Sequence, residues 1–295
     1  MMNYLSRRSL LAGAGANALL AAVPGARAQP RDPYPSRPIR VVNSSPPGST
    51  FDAIIRAACS EAEKKLGQPL VMDYRPGVPA FVSARNAAPD GYTLVVLSLS
   101  TIRQPIQQVV GYDAIKDFTW IASLAEINFG VLVPADSPIK TWAQLLAWAK
   151  ENPRTVSYGC PAGLGNSAHI FGSEIAAREK ADWIAVPYKG SNDCMIALLS
   201  GQITFSIDTT LSASAQMKAG KVRMLAVATA QRLKPFPDVP TTHELGYDVL
   251  IESPLGIGGP AGMNPGVVQV LQDTFRMAVD QHSFQAVIEQ GAMRT

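Results

Sequence analysis

The chain has 295 residues, of which 47% are hydrophobic and 17% are charged, and its formal net charge is +3 at pH 7. This length exceeds that of a typical compact domain and suits two α/β lobes. Part of the small positive excess belongs to N-terminal arginines, so the charge indicates no basic surface for a polyanion, and we expect no nucleic-acid partner.

The first 28 residues have the order of an export signal. Ser6-Arg7-Arg8-Ser9-Leu10-Leu11 resembles the twin-arginine consensus, and the apolar stretch 10–23 is too short and glycine-rich for a spanning helix. Ala26-Arg27-Ala28 has the small-x-small pattern of a cleavage site. We therefore expect a periplasmic protein whose mature chain begins at Gln29, with a general secretory signal as the alternative to twin-arginine export.

Three cysteines, Cys59, Cys160 and Cys194, make an odd count for an oxidising compartment. They show neither C-x-x-C spacing nor a Cys/His pattern typical of zinc sites. We expect buried, unpaired thiols, no metal and no cofactor.

Apolar β-branched runs alternate with helical segments along the mature chain, which favours βαβ units and largely parallel sheets. The expected strands are 39–42, 70–72, 91–97, 131–133, 156–158, 184–187, 203–207 and 222–228, with a further apolar stretch at 255–258. The expected helices are 52–66, 142–150, 168–178, 192–199 and 265–282. This rhythm predicts an α/β fold of two lobes, residues 29–126 with 229–295 and residues 127–228, joined by two hinge crossovers around a central ligand cleft.

A glycine-bearing turn with hydroxyl residues precedes the first helix, in Asn43-Ser44-Ser45-Pro46-Pro47-Gly48-Ser49-Thr50. Gly48 permits a tight backbone path, and Ser49 or Thr50 can cap the helix while offering a hydroxyl outward. Such a helix start presents unpaired N–H groups and a positive dipole end to an anion. A plain capped helix is the alternative reading.

A second turn of this kind is the strongest candidate for ligand binding. Gly163 and Gly165 loosen the loop, and Asn166 or Ser167 begins the helix. His169 falls in the first helical turn, where the dipole disfavours imidazolium, so we expect a neutral ring that donates a hydrogen bond to the ligand. A structural histidine is the open alternative.

A third turn, Val186-Pro187-Tyr188-Lys189-Gly190-Ser191-Asn192, repeats the pattern. Because these turns follow the carboxyl ends of strands in opposing lobes, we expect them to share one cleft. Asp52 is expected to support its own helix start. Asp208 either caps a turn, which we prefer, or contacts an amine or hydroxyl of the ligand.

Nearly the whole mature sequence resembles the substrate-binding receptors of tripartite tricarboxylate transporters, the Bug-type periplasmic proteins. The resemblance rests on the order and spacing of several segments: Tyr34-Pro35-Ser36-Arg37-Pro38-Ile39-Arg40, Ala88-Pro89-Asp90-Gly91-Tyr92-Thr93-Leu94, Val186-Pro187-Tyr188-Lys189-Gly190, Pro237-Asp238-Val239-Pro240-Thr241 and Gly259-Pro260-Ala261-Gly262-Met263-Asn264-Pro265.

The resemblance implies a type II two-lobed binding fold that holds a ligand carboxylate between the lobes and hands it to membrane permease subunits. It assigns the ligand to Ser44 through Asp52 and Gly163 through His169. Ser98, Ser100 and Thr101 are placed to complete the pocket floor.

Two departures from the family pattern carry expectations. Phe51 takes a position where relatives more often carry a small residue. Val78, Pro79 and Phe81 follow Arg75-Pro76-Gly77 where relatives carry glycines. We therefore expect a stiffer, partly filled rim of the ligand cleft and a more apolar or aromatic ligand. Relatives also continue with another helix after Thr295, which implies a shortened C-terminus.

Two other functions compete with a monomeric, non-enzymatic transport receptor. A hydrolase would pair Cys160 or a serine with His169, but the chain contains no G-x-S-x-G elbow. A ligand sensor for a membrane signalling protein needs the same lobe closure as a transport receptor, and the sequence does not separate the two.

Overall fold

The computed structural model describes residues 33–295. The export signal expected at 1–28 and the cleavage site lie outside the described residues. Residues 35–295 form one compact unit, and the elements below belong to it.

Nine strands and nine helices occur within the described residues. The strands are β1 (Ile39–Asn43), β2 (Leu70–Tyr74), β3 (Thr93–Ser98), β4 (Phe118–Pro134), β5 (Ser157–Pro161), β6 (Ile184–Tyr188), β7 (Phe205–Thr209), β8 (Val222–Val227) and β9 (Glu252–Pro260). The helices are α1 (Thr50–Leu66), α2 (Val78–Arg85), α3 (Leu99–Gln107), α4 (Trp142–Glu151), α5 (Ser167–Glu179), α6 (Ser191–Leu199), α7 (Thr210–Lys218), α8 (Pro265–Val279) and α9 (His282–Gln290). None of the helices described for 33–295 is both long and apolar enough to cross a bilayer.

Helix α1 shows how local sequence sets an element's limits. Ser49 caps its N-terminus by accepting a hydrogen bond from the Asp52 backbone N–H. The helix ends at Gly67, which adopts the left-handed conformation (φ 64°) that glycine tolerates best. Two lysines in the last turn face the negative end of the helix dipole.

Strand β4 runs through two sheets and links the lobes. Its first part pairs antiparallel with β9, from Phe118 to Asn128, and its last part, Phe129 to Pro134, pairs antiparallel with β7 and β8. One lobe has the strand order β2-β1-β3-β9-β4, and the other continues β4-β7-β5-β6. The fold is therefore the α/β, two-lobed type expected from the sequence, although antiparallel pairs join its parallel βαβ units at the centre.

The change of pairing partner within β4 marks one crossover, and the segment 228–251 that leads from β8 back to β9 marks the second. We propose lobe 1 as residues 33–126 with 229–295, and lobe 2 as 127–228, although Val239 of the connecting segment packs in the buried cluster of lobe 2. Each lobe has its own buried cluster: Phe81, Leu97 and Tyr112 belong to the first, and Leu198 and Met224 to the second.

The segment after Gly77 differs from the expectation that Phe81 partly fills the rim. It forms helix α2, and Phe81 is fully buried in the core of lobe 1 beside Tyr112, with ring centroids 5.2 Å apart. Val78 packs against the same cluster. These residues were misread because an apolar run after a glycine suits a core-facing helix as well as a loop.

Glycines in β9 allow close approach of β4. The register between the two strands shifts between Trp120 and Ala122 and again between Ser123 and Ala125, which indicates two bulges. A Cβ atom on Gly256 would lie 2.6 Å from the Ala122 carbonyl oxygen, and one on Gly258 would lie 2.7 Å from the Thr119 carbonyl oxygen. Both carbonyl oxygens belong to the backbone, so a side chain at either position forces the strands apart. A Cβ on Gly258 would also clash with the Cδ1 atom of Leu97.

We expect Gly256→Ala to lower the free energy of unfolding by about 1–3 kcal/mol, the usual cost of overpacking. Urea titration followed by circular dichroism measures it. The control is Gly111→Ala, whose new Cβ would meet the end of the Val82 side chain at 3.3 Å. Equal stability of the Gly256 and Gly111 variants would contradict this account of the crossing strands.

Candidate functional site

A cavity of about 730 Å³ lies at the ends of strands from both sheets. Lobe 1 contributes residues from the β1–α1 turn, the start of α2 and helix α3, and lobe 2 contributes the starts of α5, α6 and α7. The lining residues are Ser44, Ser45, Pro46, Ser49, Thr50, Phe51, Pro76, Gly77, Ser98, Ser100, Arg103, Gln104, Phe129, Pro161, Ala162, Gly163, Asn166, Ser167, Ala168, Pro187, Tyr188, Lys189, Gly190, Ser191, Thr209 and Ser253.

Helix starts dominate this lining. Thr50 and Phe51 open α1, Ser167 and Ala168 open α5, and Ser191 opens α6. The first backbone N–H groups of a helix have no intrahelical acceptor, and the dipole adds partial positive charge there. The cavity therefore offers N–H donors to an anion from both lobes.

Asp52 fixes the β1–α1 turn from behind. Its carboxylate accepts hydrogen bonds from the Gly48 N–H at 2.8 Å and from the Tyr74 hydroxyl at 2.7 Å, and it pairs with Arg56 at 3.1 Å. Gly48 has φ 74°, a conformation that favours glycine. The Asp52 carboxylate is thus occupied within the protein and shapes the turn, as expected from its place at the helix start.

Asn166 and His169 brace the β5–α5 turn. The Asn166 side chain accepts a hydrogen bond from the His169 N–H at 2.9 Å and donates one to the Pro161 carbonyl. The His169 Nδ1 atom accepts a hydrogen bond from the Gly165 N–H at 3.1 Å. The ring thus stabilises the loop that places Ser167 in the cavity.

Four hydrogen bonds join the two lobes around the cavity. Near α1, the Thr50 hydroxyl oxygen lies 2.7 Å from that of Thr209, and the Asn192 side chain donates to the Gly48 carbonyl at 3.2 Å. The other two hydrogen bonds join α3 to the start of α5. Arg103 Nη1 donates to Ser167 Oγ at 3.1 Å, and Gln107 Nε2 donates to the Gly165 carbonyl oxygen at 2.8 Å. These contacts hold the lobes in a closed arrangement.

The residues proposed from sequence divide into two groups. Eight line the cavity: Ser44, Ser49, Thr50, Ser98, Ser100, Gly163, Asn166 and Ser167. Five lie behind the lining: Gly48, Thr101, Gly165, His169 and Asp208. Thr101, for example, is fully buried and accepts a hydrogen bond from the Ser98 N–H at 3.1 Å, so it caps α3.

Sequence reasoning overlooked several lining residues, above all Arg103 and the aromatic side chains of Phe129 and Tyr188. A signal for Arg103 was present, since Ser100, Arg103 and Gln107 are spaced i, i+3 and i+7 and therefore share one face of α3. Phe129 lies where β4 passes from one sheet to the other, a position that only the strand pairing reveals.

The charges of the lining favour an anionic occupant. Arg103 and Lys189 are its charged members, and none of the described lining residues is Asp or Glu. Burial lowers the pKa of Arg103 below its ordinary range.

The geometry gives little support to a nucleophilic cysteine. Cys160 is fully buried on β5, and burial raises the pKa of its thiol to about 11, which disfavours the reactive thiolate. In the part of the chain that the structure describes, no hydrogen bond joins Cys160 to His169. Within the same residues, no cluster of three or more His, Cys, Asp and Glu side chains could hold a metal ion.

Asp208 lies between the starts of α6 and α7. Its Oδ1 accepts from the Ser191 hydroxyl at 2.6 Å and from the Thr209 N–H at 2.7 Å, while its Oδ2 is buried without a hydrogen-bond partner among the described residues. Burial outweighs these hydrogen bonds and raises the pKa of Asp208 from 3.8 to about 6. Asp208 thus holds two helix starts in place from behind the cavity.

The family described as "Tripartite tricarboxylate transporter family receptor" matches residues 54–295. A Cupriavidus necator protein, named "UPF0065 protein in gbd 5'region", is 37% identical over 95% of this chain and 87% of its own length.

Solved structures similar to this chain include "Structure of a periplasmic transporter", which is 31% identical with a TM-score of 0.83 and covers 88% of this chain and 89% of its own. MatC from Rhodopseudomonas palustris with bound malate is 26% identical with a TM-score of 0.80, covering 88% and 90%. R. palustris Rpa4515 with adipate is 26% identical with a TM-score of 0.82, covering 88% and 89%.

We expect the Asp208→Asn variant to gain stability relative to the wild type as the pH rises. Because the pKa of Asp208 is raised in the folded state, its stabilising contribution is complete below pH 3.8 and is lost as the pH rises through about 6. Between pH 4 and 7 the unfolding free energy of the wild type, minus that of the variant, should fall by up to about 1.4 kcal/mol per pH unit.

Urea titrations at several pH values measure this difference. Asp193→Asn is the matched control, because it neutralises an exposed carboxylate on α6 that is not desolvated on folding. If the difference in unfolding free energy between the wild type and Asp208→Asn does not change with pH, or increases with pH, the raised pKa assigned to Asp208 is contradicted.

Proposed function

The chain belongs to the tripartite tricarboxylate transporter receptor family and is a solute-binding receptor, and from this premise we propose that it captures a small carboxylate-bearing compound and delivers it to the permease subunits of such a transporter. The observation that carries the proposal is the cavity between the lobes, where α1, α5 and α6 begin and where the described lining has cationic but no acidic side chains. An anion bound there receives N–H donors from both lobes.

The relatives give independent support. Malate and adipate, named with the two R. palustris structures, are both dicarboxylates. The same fold surrounds them, with TM-scores of 0.80 and 0.82. A carboxylate ligand for this chain agrees with the chemistry of its own lining.

Capture takes place in the periplasm under this proposal. The order of charge, apolar stretch and cleavage pattern in residues 1–28 supports export. The receptor then acts as a monomer that closes on its ligand and presents the closed form to the permease.

The cavity walls between the helix starts suit an apolar ligand body. Phe51, Phe129 and Tyr188 line it, together with several prolines. Phe51 lines the cavity and supports the expectation of a more apolar ligand. Phe81 does not line the cavity, because it is buried in the core of lobe 1.

We propose a binding role without turnover. The buried Cys160 thiol with its raised pKa and the His169 ring, whose Nδ1 accepts from a backbone N–H, do not form an activated nucleophile and base. This agrees with membership of a receptor family.

We expect organic acids to raise the melting temperature of the mature protein, residues 29–295. A ligand at 100 times its Kd stabilises the bound form by about 2.7 kcal/mol, which corresponds to roughly 5 °C or more for a chain of this size. Differential scanning fluorimetry against mono- and dicarboxylic acids measures the shift. Ser44→Trp places a bulky side chain in the cavity lining beside the start of α1 and should reduce the shift.

Val71→Trp provides the matched control, because Val71 is 53% exposed and lies outside the lining. It should respond to acids as the wild type does. If no acid shifts the wild type, or if Ser44→Trp responds fully, the proposed binding function at this cavity is wrong.

A further inference from the structure

Arg103 makes two hydrogen bonds at the α3 side of the cavity, both to neutral hydroxyls. Nη1 donates to Ser167 Oγ at 3.1 Å and Nη2 donates to Ser100 Oγ at 3.2 Å. Nε is buried and has no hydrogen-bond partner among the described residues. The guanidinium is thus held in place by the protein with part of its donor capacity unused.

No carboxylate compensates this charge. Several arginines of the described chain pair with acids, for example Arg56 with Asp52 at 3.1 Å and Arg85 with Asp117 at 2.9 Å. Arg103, like Arg223 and Arg276, makes no ion pair in residues 33–295. Arg103 also lies beside Ser167, the first residue of α5, where the dipole places partial positive charge. A partly desolvated cation facing a positive helix end is costly unless an anion joins them.

The other side of the cavity has its own anion-binding groups. Pro46 and Gly48 of the β1–α1 turn approach Gly190 and Asn192 at the start of α6. Lys189 lines the cavity next to this contact. The first N–H groups of α1 and α6 therefore converge there, without using Arg103.

The two sides are neighbours along the sheets. Strand β1, which leads to α1, pairs with β3, which leads to α3, and β6, which leads to α6, pairs with β5, which leads to α5. Adjacent strands are about 4.8 Å apart. The α1–α6 contact and the α3–α5 contact are thus one strand apart in both lobes, which is the scale of a short diacid.

We propose that Arg103 is the specificity-determining residue of this receptor and selects ligands with two ionised acidic groups. The α1 and α6 helix starts bind one group, Arg103 with the start of α5 binds the second, and the apolar body lies against Phe51. This inference rests on the proposed binding function and narrows it to dianions.

Arg103 also links recognition to closure. Its Nη1–Ser167 hydrogen bond joins α3 of lobe 1 to α5 of lobe 2. An anion bound to Arg103 and to the α5 start contacts both lobes at once, so the closed arrangement is stabilised by the second acidic group.

The test is isothermal titration calorimetry of the mature protein with three matched pairs: succinate and butanoate, glutarate and pentanoate, adipate and hexanoate. We expect the wild type to prefer the diacid of at least one pair by about tenfold or more, the value of one charge-assisted contact. Arg103→Gln should remove this preference, because its affinity for the diacid falls about tenfold further than its affinity for the monoacid. Arg103→Lys keeps the charge and should restore part of the preference.

Arg276→Gln is the charge-matched control, because Arg276 is exposed on α8 outside the cavity. It should keep the wild-type preference. Urea titration of the ligand-free variants checks folding, and we expect Arg103→Gln to unfold at or above the wild-type midpoint since a desolvated charge is removed.

The outcomes separate the two claims. If the wild type binds both members of every pair equally, or if Arg103→Gln loses mono- and diacid affinity alike, the role of Arg103 is refuted while carboxylate binding stands. If the wild type binds none of the six acids and no other carboxylate, the proposed function itself fails.

Discussion

Six of the described helices begin at the cavity, and this convergence is the constraint on which the binding site depends. Residues at the starts of α1, α2, α3, α5, α6 and α7 are all in its lining: Thr50, Gly77, Ser98, Ser167, Ser191 and Thr209. The topology causes it, because each of these helices follows a strand whose carboxyl end points to the cleft. An anion in the cleft meets N–H groups and positive dipole ends from both lobes.

Buried polar groups behind the lining hold these helix starts in position. Asp52 accepts from the Gly48 N–H, and Asp208 accepts from the Ser191 hydroxyl and the Thr209 N–H. His169 does the same for the Gly165 N–H. The protein thereby satisfies the donors that shape the turns and leaves the first-turn donors of α1 and α5 for a ligand.

Much of this arrangement could be predicted from sequence, because the signals are local. Gly48 followed by Ser49, and Gly165 followed by Asn166, are turn and cap signals that identify helix starts without knowledge of the fold. Whether a residue lies in the cavity or one layer behind it depends on side-chain direction. That is why Ser167 lines the cavity and His169, two residues later, does not.

The features that escaped prediction depend on tertiary packing. Helix α3 follows β3 directly at Ser98 without a glycine turn, and it contains Pro105, so its start and its polar face were not recognised. Phe81 was placed at the rim, yet α2 folds over β1 and β3 and buries it. The passage of β4 between sheets follows from pairings with β9 and β7 that lie far apart in sequence.

Amide chemical shifts test the central claim most directly, since the account holds that backbone N–H groups at opposing helix starts bind the acid. The mature protein, labelled with ¹⁵N and ²H, would be titrated with the tightest-binding acid of the succinate to adipate series. The account predicts that the largest shifts occur at Thr50, Phe51, Ser167, Ala168 and Ser191. Shifts confined to one lobe, or centred on a surface outside the cavity, would contradict it.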